Sequence, residues 1–229
     1  MMFQPPSKPR AGFTVVEILV VTVLTAVLAV LLFPAGNRAV KAARESECRT
    51  RLKMLGAAHL AYAADRGGRF ISSANPGGKE GYWFDVLGRY MAGEQVTWVN
   101  GKQGGTIESI PKWLTCPEKP GEVGYGWNQK FGKQSYDETK DGYHEGFRRL
   151  ITVTRPAETV LHADSKDPGV EPGLRYENWY LYSSAGWKAR FPARHLGKGN
   201  YFFVDGHMEA ITPAGLLKRL EIFDPIKPD

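Results

Sequence analysis

The apolar run from Phe13 to Phe33, FTVVEILVVTVLTAVLAVLLF, restricts this chain more than any other feature. It has 21 residues and is interrupted only by Glu17, Thr14, Thr22 and Thr25. As a helix rising about 1.5 Å per residue it covers about 31 Å, the thickness of a hydrocarbon core. A secretory signal would carry an apolar stretch of about 7 to 15 residues and then a small-residue cleavage site. The run is longer, and the residues that follow, Phe33, Pro34, Ala35 and Gly36, do not fit such a site. The run is therefore read as a membrane span retained in the mature protein. An uncleaved anchor is the plain alternative.

Beyond the span, enough chain remains in the 229 residues for one globular domain. With 26 Gly, 15 Pro and 12% aromatic residues, that remainder favours an α+β domain of short strands and long turns over a helical bundle. The net charge is +6, with basic and acidic residues interspersed as at Arg44, Glu45, Glu47 and Arg49. That pattern is a solvated surface, whereas a nucleic-acid footprint needs a basic stripe with few acids on the same face. Two cysteines, Cys48 and Cys116, permit one disulfide outside the cytoplasm, with a reduced buried pair as the alternative, and no Cys-x-x-Cys pair suggests zinc.

After Pro34, where the missing amide donor favours a bend, the pattern turns amphipathic. Cys48, Leu52, Leu55, His59 and Tyr62 alternate spacings of four and three, which places them on one core-facing stripe. The amphipathic continuation is expected over 34–66, ending near Asp65-Arg66-Gly67-Gly68. His59 is then a buried histidine with a hydrogen-bond partner. Residues 67–229 are expected to form the strand- and loop-rich domain, loop-rich above all from Gly77 to Gly105. A short apolar segment spans Trp113 to Pro117, and Glu158 to Asp164 reads as a strand. Asn200–Val204 and His207–Ile211 flank Asp205-Gly206, a hairpin signal because both central turn positions tolerate positive φ.

The residues before the span carry a specific resemblance. Lys8 and Arg10 precede Ala11 and Gly12, and GFTVVE (12–17) resembles the start of type IV prepilins and type II secretion pseudopilins. The resemblance implies a cationic leader, 1–12, removed by a membrane prepilin peptidase that cuts between Gly12 and Phe13 and methylates the new terminal Phe13. It implies a pilin-like fold, with the apolar helix anchored in the inner membrane, single-pass, and the C-terminal domain in the periplasm or at the cell surface. Glu17 costs a few kcal/mol inside lipid, so it needs a partner or a shallow position at the headgroups. The resemblance supplies the partner, the terminal amine of a neighbouring subunit. Counted alone, the basic residues after the span, Arg38 to Lys53, would orient the chain the other way. They fall on the solvated face of the continuing helix beside Glu45 and Glu47, so topology rests on the resemblance.

A second segment extends it. In ARHLGKGNYFFVDGHMEAI (193–211), His195 is followed by nine residues and then Asp205-Gly206, similar to the H-x9-DG segment at the C-terminus of many prepilin-like proteins. LTCP, GYGWN and TVLHADS resemble the same group. No catalytic role comes with it. His162, Asp164, His195, Asp205 and His207 offer imidazole and carboxylate ligands for a metal, but a structural role is expected, with His195 bonding the Asp205 carboxylate or a nearby carbonyl to fix the hairpin. Asp137-x-Thr139-x-Asp141-Gly142 opens like a calcium loop, yet Arg148 stands where a bidentate Glu belongs. Gly101 to Gly105 lacks phosphate-loop spacing, and no zinc-protease or nucleophile-elbow motif is present. The expectation is a non-catalytic filament subunit without cofactors. Its partners would be the peptidase, other pilin-like subunits, the inner-membrane assembly machinery and lipid. A membrane-anchored ligand-binding module and a metal-dependent enzyme are the alternatives.

Overall fold

The computed structural model describes residues 12–71, 82–91, 97–98, 107–118, 120–121, 123–132, 134–137, 142–145, 149–165, 180–181 and 193–224. The chain divides into two units, Met1–Ala42 and Ala43–Asp229. One helix, α1 (Val15–Asp65), contributes to both and is unbroken through position 34.

In the first unit every described side chain from Phe13 to Phe33 is exposed. An 18-residue window of α1 has mean hydropathy 2.9 with none of it buried, so one helix is long and apolar enough to cross a membrane.

The second unit is α+β. Its sheet has the order β7-β3-β6-β8-β9. Four strands, β3 (Tyr125–Asn128), β6 (Val160–Asp164), β8 (Gly199–Phe203) and β9 (Met208–Ile211), are antiparallel, and β7 (Tyr180–Leu181) adds a short parallel edge to β3. Two further pairs, β1 (Thr97–Trp98) with β2 (Ile107–Ser109) and β4 (Gln134–Asp137) with β5 (Gly142–Glu145), are antiparallel. The calcium-like segment therefore joins β4 to β5, Asp137 pairing with Gly142. Thr139, Asp141 and Arg148 lie outside the described residues, as do the leader through Ala11 and Gly101–Gly105.

The sheet separates two cores. On one face lies the expected stripe of α1, with Cys48, Leu52 and Leu55 fully buried beside Tyr125, Trp127 and Phe202. On the other, Ala163, Tyr201 and Phe203 pack against Leu216 of α3 (Pro213–Leu217) and Ile222 and Phe223 of a C-terminal 3-10 turn. Strand β6 is buried at every position. Its pairing skips Leu161, since Val160 faces Phe203 while His162 faces Phe202. This bulge turns both Leu161 and His162 toward the α1 face. The α1 helix stops as expected, Gly67 and Gly68 taking φ of 66° and 80° and the Gly68 amide bonding the Ala63 carbonyl.

Two expectations change. The Gly77–Gly105 segment contains a helix, α2 (Trp83–Met91), whose Trp83, Phe84, Val86 and Leu87 are buried. The β8–β9 hairpin forms, but Asp205-Gly206 is not a two-residue turn. The Gly206 amide bonds the Phe203 carbonyl and the Phe203 amide bonds the His207 carbonyl, leaving Val204, Asp205 and Gly206 as a three-residue loop. Only Gly206 has positive φ, 93°, the glycine position of that loop class. The turn with positive φ at both centres is Leu196-Gly197, at 52° and 84°, closed by reciprocal backbone bonds between His195 and Lys198.

Candidate functional site

At the start of α1, Gly12, Phe13 and Thr14 precede the first helical residue. Glu17 Oε2 accepts from the Thr14 amide at 2.8 Å and from Thr14 Oγ1 at 2.9 Å, and Thr14 Oγ1 accepts from the Glu17 amide at 3.3 Å. Thr-x-x-Glu with these reciprocal bonds is a capping box, which satisfies amides that the first turn leaves unpaired. Glu17 therefore has a partner within its own chain, a role legible in the Thr14–Glu17 spacing and absent from the sequence expectation.

The second constellation is buried. Cys48 comes from α1, Cys116 from the loop after the 3-10 turn Lys112–Leu114, Asp164 from the end of β6, and His195 from the turn before β8. The first three are fully buried and His195 nearly so. Cys48 Sγ lies 3.2 Å from Cys116 Sγ and 3.3 Å from Asp164 Oδ1, while His195 Nε2 lies 3.5 Å from Cys116 Sγ and 3.4 Å from Asp164 Oδ2. Both cysteines are free thiols.

The loop carrying Cys116 is held from two sides. Arg51, one turn beyond Cys48, donates Nη1 to the carbonyls of Lys112 at 2.6 Å and Thr115 at 2.8 Å, and its Nη2 pairs with Glu47. Gly124 donates to the Leu114 carbonyl at 2.7 Å, and a Cβ there would stand 2.2 Å from the Cys116 nitrogen, so only glycine fits. Asp164 is oriented by Asn200, whose amide and Nδ2 donate to Oδ2 at 2.7 and 3.2 Å. The Tyr125 hydroxyl donates toward Cys48 Sγ at 3.3 Å.

These contacts polarise the cluster. The hydrogen bond from Cys48 holds the Cys116 thiol below its usual range, against burial and with help from His195. The same bond, burial and the Asp164 charge push Cys48 up. Burial works against charge on His195, but hydrogen bonds to Asp164 and Cys116 and their charges outweigh it and raise its pKa to about 10. This is not a catalytic triad, in which the nucleophile and the orienting carboxylate use different imidazole nitrogens. Here both meet Nε2, while Nδ1 is buried with no partner among the described residues.

The five histidine and aspartate ligand candidates do not converge. His162 Nε2 pairs with His59 Nδ1 at 2.8 Å, and the Ile71 amide donates to His59 Nε2 at 3.4 Å. An accepting Nε2 places the His59 proton on Nδ1, so His59 donates and His162 accepts. Asp205 does not reach His195. It accepts from the His207 amide at 3.1 Å and pairs with His207 Nδ1 at 2.6 Å, because its side chain closes the local turn. The His207 ring stacks on Phe203, and Glu209 bonds Arg219 at 2.7 Å. Burial raises the Asp205 pKa, but the bonds from His207 prevail and lower it. The five thus fall apart into an exposed Asp205–His207 pair, a buried His162 bonded to His59, and Asp164 with His195, which the two cysteines join.

In comparisons with known proteins, no family model, curated protein or solved structure matches the chain.

Proposed function

We propose that this chain is a non-catalytic, pilin-like structural subunit of a type II secretion or type IV pilus-like filament. A prepilin peptidase would cut it after Gly12, and inner-membrane assembly machinery would build it into a polymer with other such subunits. The observation that carries this reading is the run from Phe13 to Phe33, exposed throughout, helical from Val15 and directly preceded by Gly12. Such a surface needs lipid before assembly and neighbouring helices after it. The globular unit would lie in the periplasm or at the cell surface. Mass spectrometry of the N-terminus of the membrane-extracted protein tests processing, and the expected terminus is N-methylated Phe13.

An anchored module that does not polymerise is the second reading, and the capping box favours it by giving Glu17 a function in a single chain. Glutamine also serves in a capping box, whereas alanine does not. If the Glu17 charge attracts a neighbour's amine, Glu17→Gln and Glu17→Ala should both block incorporation into filaments while leaving membrane insertion intact. Recovery of Glu17→Gln in filaments at wild-type levels refutes the charge-pairing role.

A further inference from the structure

We propose that Cys48, Cys116 and His195, with the Asp164 carboxylate beside them, form a site for a divalent metal ion of the zinc class. The sulfurs of Cys48 and Cys116 and a ring nitrogen of His195 all lie within 4.8 Å of one another, and the Asp164 carboxylate, which touches Cys48 through Oδ1 and His195 through Oδ2, is the nearest group for a fourth position. Thiolates at about 2.3 Å and imidazole or carboxylate at about 2.0 to 2.1 Å from zinc give tetrahedron edges of about 3.8 Å between sulfurs, about 3.5 Å from sulfur to nitrogen or oxygen, and about 3.4 Å from nitrogen to oxygen. The observed separations are 3.2 Å between the sulfurs and 3.5 Å from Cys116 Sγ to His195 Nε2, while Asp164 approaches through two different oxygens, Oδ1 at 3.3 Å from Cys48 and Oδ2 at 3.4 Å from His195. A shift of about half an ångström between the sulfurs brings the three grouped ligands to zinc distances, and the fourth position needs the Asp164 carboxylate to turn one oxygen toward them.

Protons alone serve this ring poorly. Four contacts close the ring, whereas Cys48, Cys116 and His195 Nε2 bring one proton each, so one contact is left without a hydrogen. The single proton of His195 Nε2 faces both Asp164 and Cys116. A central cation meets all four groups at once. Mixed thiolate, imidazole and carboxylate ligation selects zinc-class ions over calcium or magnesium, which take oxygen shells. Asn200, donating twice to Asp164 Oδ2, is the outer group that orients a ligand. On binding, each cysteine gives up its S–H proton and His195 its Nε2 proton to solvent, and two metal–sulfur bonds and one metal–nitrogen bond form. No electron is transferred. A Cys48–Cys116 disulfide is the competing state, since it consumes both sulfur ligands and requires an oxidant.

The test uses the full chain in detergent, stripped by chelator under reductant and titrated with zinc or cobalt(II). One equivalent should bind, cobalt should show thiolate-to-metal charge transfer and tetrahedral visible bands, and zinc should shield both thiols from alkylation. Asn200→Ala keeps all four ligands and should weaken zinc binding about 10- to 100-fold, whereas His195→Ala should abolish the charge-transfer spectrum. The assignment is overturned by a Cys48–Cys116 disulfide in the protein as isolated, by no stoichiometric binding, or by cobalt bound without a sulfur band. Because the wild-type spectrum and stoichiometry decide, misfolding of a variant does not shelter the proposal.

Discussion

Lowering the pH from 7 to 5 should destabilise the globular unit through its buried histidine pair. Burial pushes the His162 pKa from 6.5 to about 3, and burial followed by the neighbouring His162 pushes His59 in the same direction. The unfolded chain then binds protons that the folded chain refuses, so stability rises with pH between about 3 and 6.5 and falls as the pH drops through that window. At pH 5 the unfolded imidazole is mostly charged. With a folded pKa near 3, His162 alone costs about 2 kcal/mol relative to pH 7, and His59 adds to it. The geometry explains the refusal: the Nε2 that would take the proton already accepts from His59, and Trp83 and Trp127 pack at 5.1 Å from His162 and 5.5 Å from His59. The raised pKa of His195 works oppositely, its contribution being complete below 6.5 and lost toward 10. A comparison of variants cancels that term. Urea unfolding of the detergent-solubilised chain, followed by tryptophan fluorescence with chelator present, should show the loss in wild type and a flatter profile in His59→Leu/His162→Leu. Removing both partners avoids leaving either one unpaired. Equal pH slopes in the two proteins refute the reasoning.

Other substitutions test the scaffold. Leu196, exposed and held at φ 52° in the turn beside His195, pays a left-handed penalty that asparagine largely avoids. Leu196→Asn should therefore add about 0.5–1 kcal/mol, or about 1–4 °C in thermal midpoint, and a lower midpoint contradicts the turn assignment. Gly56 lies in α1 where a Cβ would stand 2.2 Å from the Phe202 ring. Helix propensity alone makes Gly56→Ala a gain of about 1 kcal/mol, whereas overpacking makes it a loss of about 1–3 kcal/mol. Chemical denaturation should show the loss.

Long-period signals were legible and short-range turn chemistry was not. The α1 stripe could be read because Cys48, Leu52, Leu55, His59 and Tyr62 repeat one spacing across four turns, and all five are buried. Strand β6 could be read from its β-branched and apolar start, but not its bulge, which depends on pairing with β8. The helix α2 escaped because aromatic residues and Gly88 resemble a loop or strand. The spacing of Trp83, Val86 and Leu87, i, i+3 and i+4, was its signal. Asp205-Gly206 was assigned the wrong loop class because Asp-Gly suits a two-residue turn and a three-residue loop ending in glycine alike, and only the backbone bonds distinguish them.

The buried cluster was half legible for a different reason. Asp164 and His195 stood out as ligand types, and the cysteines stood out as a pair, but nothing in the sequence joins four residues from four elements. What joins them is β8. His195 sits in the turn that starts this strand, Asn200 within the strand grips Asp164 on the adjacent β6, and Gly206 turns the strand back into β9. The nine residues between His195 and Asp205 are therefore the length of one tight turn, one five-residue strand and the entry to its hairpin. On this account the His195 and Asp205-Gly206 ends of the motif need not touch. The spacing holds His195 at the start of β8 opposite Asp164 while the far end fixes where the strand stops. Inserting one residue between Lys198 and Gly199 should therefore uncouple His195 from Asp164 without abolishing the β8–β9 hairpin. Faster alkylation of Cys116, with far-ultraviolet circular dichroism unchanged, is the result that separates a register role from a direct contact between the two ends.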